Sequence, residues 1–206
     1  MSRVTSATWV RRWLERALIA TGAGLLSWSA MAIVEAGHEQ EKLRVALSRR
    51  LTASEQVAKP ATSSLKRGAL IGSLKIPRLK LSAMVVEGDD DQTLKRGVGH
   101  LPDTPLPWEK GNAALAGHRD TFLRAMRDIS AGDEIRLTTP HGEFAYRVRE
   151  IAIVTPENLS GLSVTDESSL TLITCYPFSY IGNAPKRFVV RAARTHAQPA
   201  RVTTTR

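Results

Sequence analysis

Apolar and polar positions alternate along much of the chain between residues 68 and 193. In EFAYRVREIAIV (143–154), Phe144, Tyr146 and Val148 alternate with Ala145, Arg147 and Arg149. Successive side chains of a strand point to opposite faces, so this pattern predicts a half-buried strand. The same reading gives strands in GALIGSLKI (68–76), KLSAMVVEG (80–88), NAALAGH (112–118), DEIRLTT (133–139), SLTLITC (169–175) and RFVVRAA (187–193). Thr139-Pro140-His141-Gly142 has the composition of a hairpin turn. DDDQTLKRG (89–97) suits a short helix, with aspartates at its positive N-terminal end and basic residues at the other. Short strands separated by turn signals, six to eight of them, predict an all-β barrel or sandwich.

Ahead of this region the pattern changes. Residues 17–34, ALIATGAGLLSWSAMAIV, are 18 consecutive uncharged residues. That is near the lower limit for crossing a hydrocarbon core about 30 Å thick at about 1.5 Å per helical residue. Arg3, Arg11, Arg12 and Arg16 precede the run and Glu35, Glu39 and Glu41 follow it. The positive-inside bias then predicts a single-pass signal anchor at 17–34, with the basic segment 1–16 in the cytoplasm and the rest outside the membrane. A cleaved signal peptide fits less well, because the small-x-small sequence Ala30-Met31-Ala32 lies inside the apolar run rather than after it. Residues 35–67 read as an exposed juxtamembrane helix (35–57) and a short linker (58–67). Residues 194–206 show no core-forming pattern and read as a flexible basic tail. The catalytic or binding domain is expected at 68–193.

Charge narrows the function. The net charge is +9, but residues 68–191 hold 15 basic and 15 acidic side chains, so the excess lies at the two ends. A nucleic-acid reader carries its positive charge on the folded module, which argues against that class. The chain has one cysteine, Cys175, which excludes an intrachain disulfide and a cysteine-based zinc site.

Cys175 ends a strand in which Leu170, Leu172 and Thr174 share one face while Thr171, Ile173 and Cys175 share the other. A strand end fixes a nucleophile's backbone and leaves space beyond it for substrate. A thiol becomes a thiolate near neutral pH beside an imidazolium or guanidinium. The candidate cations are His118, ending the NAALAGH strand, and Arg187, opening the last strand. On these grounds alone, the plainer reading of a buried structural cysteine, an exposed turn histidine and a solvated arginine is favoured.

The local strings decide between these readings. TLITC followed by YPFSYIGNAPKRFVVRA, together with GVGHLPDTPLPWEKGNAALAGHRDTFLRAM, closely resembles the sortase family, nearest its class D type. IPRLKL at 76–81, VVEG at 85–88 and GDEIRL at 132–137 add to the match, which covers about residues 68–193. The resemblance implies a closed eight-stranded sortase-like β-barrel with short helices, and a cysteine transpeptidase acting at the cell surface. Cys175 would attack an LPxTG-like C-terminal sorting signal on a protein substrate and form a thioacyl enzyme. An amine acceptor, from peptidoglycan or a pilin lysine, would then resolve it.

In that scheme His118 is the acid and base, and Arg187 steadies the oxyanion or the substrate. Thr174 is a candidate substrate or oxyanion contact. His100, expected in a loop, is a candidate substrate contact. His38, His141 and His196 are expected to be solvated, and the loops Val154–Glu167 and Pro177–Pro185 to set the sorting motif. No cofactor is expected. Asp89, Asp90 and Asp91 beside Glu87 could suggest calcium, but helix capping explains them better and no metal is expected.

Two rivals differ in class. An L,D-transpeptidase also uses Cys, His and Arg, but keeps its histidine and cysteine in one glycine-rich motif, whereas 57 positions separate His118 from Cys175 here. A catalytically silent, membrane-anchored β-domain that binds a surface protein would have no use for a Cys, His and Arg set.

Overall fold

The structure is a computed structural model, and it describes Trp13 and residues 16–23, 40–49, 65–158 and 167–198. The chain divides into two units, Met1–Glu39 and Gln40–Arg206. In the first, residues 16–23 are helical, and Leu18 and Ile19 are 79% and 70% exposed. No helix among the described residues is long and apolar enough to cross a membrane. Residues 24–34 of the expected anchor lie outside the described residues.

The second unit is built on strands β1 (Leu70–Ile76), β2 (Leu81–Glu87), β3 (Val98–His100), β4 (Asn112–Ala116), β5 (Glu134–Thr139), β6 (Gly142–Val154), β7 (Ser169–Tyr176) and β8 (Lys186–Gln198). They close into a barrel in the order β1-β2-β3-β4-β7-β8-β6-β5. Closure leaves the sheet no free edge. Two neighbouring pairs are parallel, β2 with β3 and β4 with β7. Parallel neighbours need a crossover rather than a hairpin. The first crossover contains the helix Asp91–Arg96, and the second carries the 3-10 turn Arg124–Asp128 and the β5–β6 hairpin.

The period-2 pattern sorts side chains as the sequence implied. Leu170 and Leu172 of β7, Phe188, Val190 and Ala192 of β8, Phe144, Tyr146 and Val148 of β6, and Ala113 and Leu115 of β4 all enter one core. A register shift near Leu70 and Gly72 lets Ile71 join Leu74 and Ile76 in that core, although they are not two apart. β3 falls where the sequence suggested a loop. Three residues are too few to show a period, and Gly99 carries no side chain to mark a face. A Cβ at Gly99 would stand 2.1 Å from the Gly88 carbonyl oxygen, so only glycine lets these segments approach.

Two expected boundaries move. Residues 40–49 are helical as expected, but Leu43 and Leu47 are buried with Leu70, Met84 and Val86 rather than exposed. The Gln40 side-chain amide donates to the Arg96 carbonyl and accepts from the Met84 amide at 3.0 Å. Burying two leucines is worth about 2 kcal/mol each, enough to hold a short helix on the barrel wall.

At the other end β8 continues through residues 194–198, where the sequence suggested a mobile tail, and Glu143 pairs with Gln198. Arg194 supplies much of the reason. Its guanidinium lies 5.0 Å from the Phe144 ring centroid and 5.5 Å from that of Tyr146, and it donates to the Pro107 carbonyl. An arginine read as tail charge is part of the packed wall. Residues 199–206 lie outside the described residues.

Two motifs brace one end of the barrel. Arg78, in IPRLKL, grips Asp133, in GDEIRL, with Nε to Oδ1 at 2.5 Å and Nη2 to Oδ2 at 2.6 Å. The Ser130 amide also donates to Asp133, and the Arg78 hydrogen bond, before any other influence, holds its carboxyl below the usual carboxylate range. Asp90 accepts from the Gln92 and Thr93 amides and from the Thr93 hydroxyl, capping the helix that follows. His141 is not simply solvated, since its ring centroid lies 4.0 Å from that of Trp108 and burial pushes its pKa down. His196 is exposed, and His38 lies outside the described residues.

Candidate active site

Cys175 is the penultimate residue of β7, and its cross-strand partner on β8 is Arg187. Directly opposed residues of an antiparallel pair project to the same face, with Cβ atoms about 4.5–5.5 Å apart. That face is the outside of the barrel wall, because Thr174 and Phe188, the next pair, turn with the core residues Leu172 and Val190 to the inside. Cys175 and Arg187 are both partly exposed and therefore open to a substrate. Arg187 Nη1 donates to the carbonyls of Ala184 at 3.1 Å and Lys186 at 3.0 Å. Glu157, just after β6, is held below the usual carboxylate range by its own backbone amide and the Thr155 hydroxyl, with the Arg187 charge adding to both. Nothing in the sequence distinguished Glu157 from other loop acids.

His118 arrives from the other neighbour of β7. β4 runs parallel to it, with Ala116 opposite Ile173. The Gly117 amide donates to the Ile173 carbonyl at 3.1 Å, which extends the ladder one step beyond the strand. Continuing that register by one more residue carries His118 to the level of Cys175. His118 is partly exposed. β4, β7 and β8 are adjacent, so the extension of β4, the end of β7 and the start of β8 lie at the same end of the barrel.

Thr174 is 2% exposed, and its hydroxyl donates to the Gly117 carbonyl at 2.7 Å. It contacts the residue preceding His118, rather than lying open to a substrate as the sequence suggested. A Cβ on Gly117 would come within 2.8 Å of the Leu123 side chain, so this segment is closely packed on both sides. β4 and β7 are also joined through Asn112 Oδ1, which accepts from Thr171 at 2.9 Å and Ser169 at 3.1 Å.

Beside the thiol, Tyr176, Phe178 and Phe188 form an aromatic cluster with centroids 5.2–6.2 Å apart. Sheet and aromatics together give a rigid mount.

His100 is not in a loop and not open to substrate. It is the last residue of β3, 1% exposed, with Nδ1 2.8 Å from the Glu87 carboxylate and Nε2 3.1 Å from the Pro105 carbonyl. Glu87 is its register partner on β2. The pair ties β2, β3 and the start of the 101–111 loop together. No group of three or more His, Cys, Asp or Glu suited to a metal occurs among the described residues.

Comparison with known proteins identifies the family to which this barrel belongs. The Sortase domain family model matches residues 74–195. Sortase D of Bacillus subtilis is 39% identical over 142 residues, covering 68% of this chain and 72% of that protein. A Sortase D5 transpeptidase from Clostridium perfringens has the same fold, with a TM-score of 0.62 and 24% identity over 78% of this chain and 98% of its own. So does sortase C of Clostridium perfringens, solved with the C-terminal cell wall sorting motif, with a TM-score of 0.60 and 24% identity over 79% and 90%. A closed barrel of this strand order, matched over most of its length by these proteins, establishes that the chain belongs to the sortase family of cysteine transpeptidases.

Proposed function

We propose that this chain is a membrane-anchored sortase that cleaves an LPxTG-like sorting motif through Cys175 and transfers the acyl fragment to an amine. The Cys175 thiolate attacks the carbonyl of a Thr-Gly-like bond. The tetrahedral oxyanion collapses, the C–N bond breaks, and His118 gives its proton to the departing amine. His118 then takes a proton from the incoming amine, which attacks the thioester and releases the thiolate. Arg187 donates to the oxyanion in both steps, where a planar guanidinium fixes direction as well as charge. Thr174 serves indirectly, by holding Gly117 and hence His118.

The observation that carries this reading is the ladder that sets Arg187 opposite Cys175 and runs the β4 extension toward it. The sorting motif solved with the sortase C of Clostridium perfringens supports the substrate class. A peptidoglycan amine or a pilin lysine is the acceptor.

Residues 17–34 form the anchor, with the N-terminus cytoplasmic and the barrel outside. The 18-residue uncharged run and the flanking charges support this. So does the exposure of Leu18 and Ile19.

The test is to incubate the full chain with a labelled sorting peptide and an oligoglycine amine. The expected result is a new amide whose formation needs the amine and is lost in both Cys175→Ala and His118→Ala. Amide formation by Cys175→Ala would refute the assignment. For the anchor, sedimentation with membranes and protease accessibility of the barrel from outside are expected, and a chain recovered wholly without membrane would contradict it.

A further inference from the structure

We propose that Arg119 is a positioning residue that clasps the 177–185 loop between β7 and β8 against the His118 segment, shaping the entrance to the Cys175 thiol. The inference rests on the site proposed above. Arg119 immediately follows His118 in the chain, and its Nη2 donates to the Tyr180 carbonyl at 2.6 Å and the Gly182 carbonyl at 2.9 Å. Two carbonyls two residues apart converge on one nitrogen, so the loop is wrapped around the guanidinium. Ile181, between them, is turned outward and is 96% exposed.

Further along the loop, the Ala184 carbonyl accepts from Arg187. Among the described residues, Arg119 and Arg187 are the side chains that hydrogen-bond this loop, and they flank the site from its two sides. Arg119 has no carboxylate partner among the described residues. Its charge is met by loop carbonyls, through hydrogen bonds that the ionised donor makes stronger than neutral ones.

The consequence is preorganisation. Within the loop, the Tyr180 amide reaches only the Pro177 carbonyl, at 3.3 Å, and the apolar pair Tyr180 and Ile181 has little to hold it down. With the clasp made, the loop is ordered before substrate arrives. Without it, the ordering cost falls on substrate binding, so KM rises more than kcat falls.

The test compares wild type, Arg119→Ala and Arg119→Lys in the full chain, by two readouts. One is chymotryptic cutting at Phe178 and Tyr180 under native conditions, and the other is steady-state kinetics on a sorting peptide. Arg119→Ala is expected to be cut several-fold faster and to lose roughly tenfold or more in kcat/KM, mostly through KM, with the pH profile unmoved. Arg119→Lys, whose ammonium can still serve carbonyls at shorter reach, is expected to recover part of both. Unchanged cutting in Arg119→Ala, or faster cutting with unchanged kinetics, would overturn the positioning role. A wild-type chain that turned over no sorting peptide would instead refute the reading of the site, and the cutting comparison alone would then decide the clasp.

Discussion

Cys175 and Arg187 face each other across the β7–β8 ladder, on the outer side of the barrel wall. Their spacing is therefore set by backbone pairing rather than by flexible side-chain contacts. Arg187 uses Nη1 on two carbonyls of its own segment, which leaves the rest of the fork for an oxyanion. Replacing Arg187 with Ala should lower kcat by about 10²–10³-fold, the usual cost of removing one oxyanion donor, with little change in melting temperature. Arg187→Lys should recover little, since a point charge does not reproduce the planar fork. A change confined to KM would mean that Arg187 only binds substrate.

Thr174 makes a different prediction from the one its place beside the nucleophile suggests. Thr174→Val keeps the shape and removes the bond to the Gly117 carbonyl, leaving a buried acceptor unpaired at a cost of about 1–3 kcal/mol. A fall in both thermal stability and kcat, with KM nearly constant, is the expected outcome. A rise in KM without loss of stability would return Thr174 to the role of substrate contact.

Most of the strand set was legible because a half-buried strand writes its two faces into alternating residues, as β6 does from Phe144 to Val148. The candidate site was legible through Cys175, His118 and Arg187, whose residue types and strand-end positions suit the proposed chemistry. Register was not legible, and it is register that sets Arg187 opposite Cys175 and directs the β4 extension toward the same end of the barrel. β3 was missed because Val98-Gly99-His100 is too short to show a period. His100 therefore passed for a loop residue, although it is buried against Glu87. The strand end at Gln198 was missed because Arg194 packs through stacking on Phe144 and Tyr146, which a charge count cannot reveal.

The buried His100–Glu87 pair is a structural tie. His100→Leu leaves the Glu87 carboxylate without its partner and should cost about 3–5 kcal/mol, read as a lowered urea midpoint. KM for a sorting peptide, measured on the folded fraction, should not change. Altered KM at full stability would show that His100 reaches the substrate.

The Arg78–Asp133 brace predicts an acid limb in stability. The folded-state pKa of Asp133 is depressed, chiefly by its hydrogen bond to Arg78. Its contribution is therefore fully present above the ordinary carboxylate pKa and is lost as pH falls through the depressed folded value. Melting temperature should drop over that acidic window in the wild type. The slope should be shallower in Asp133→Asn, which lacks the titrating group. Identical acid limbs in the two proteins would contradict the brace.

In the proposed mechanism Cys175 forms an acyl enzyme with a sorting peptide. Intact-mass measurement of the full chain after brief incubation with a small library of LPxTG-like peptides tests it directly. The expected product is an adduct equal to the acyl fragment N-terminal to the scissile bond, absent in Cys175→Ala and discharged by added amine. An adduct that persists in Cys175→Ala, or a folded protein with a reactive thiol that forms none with any peptide, would contradict it.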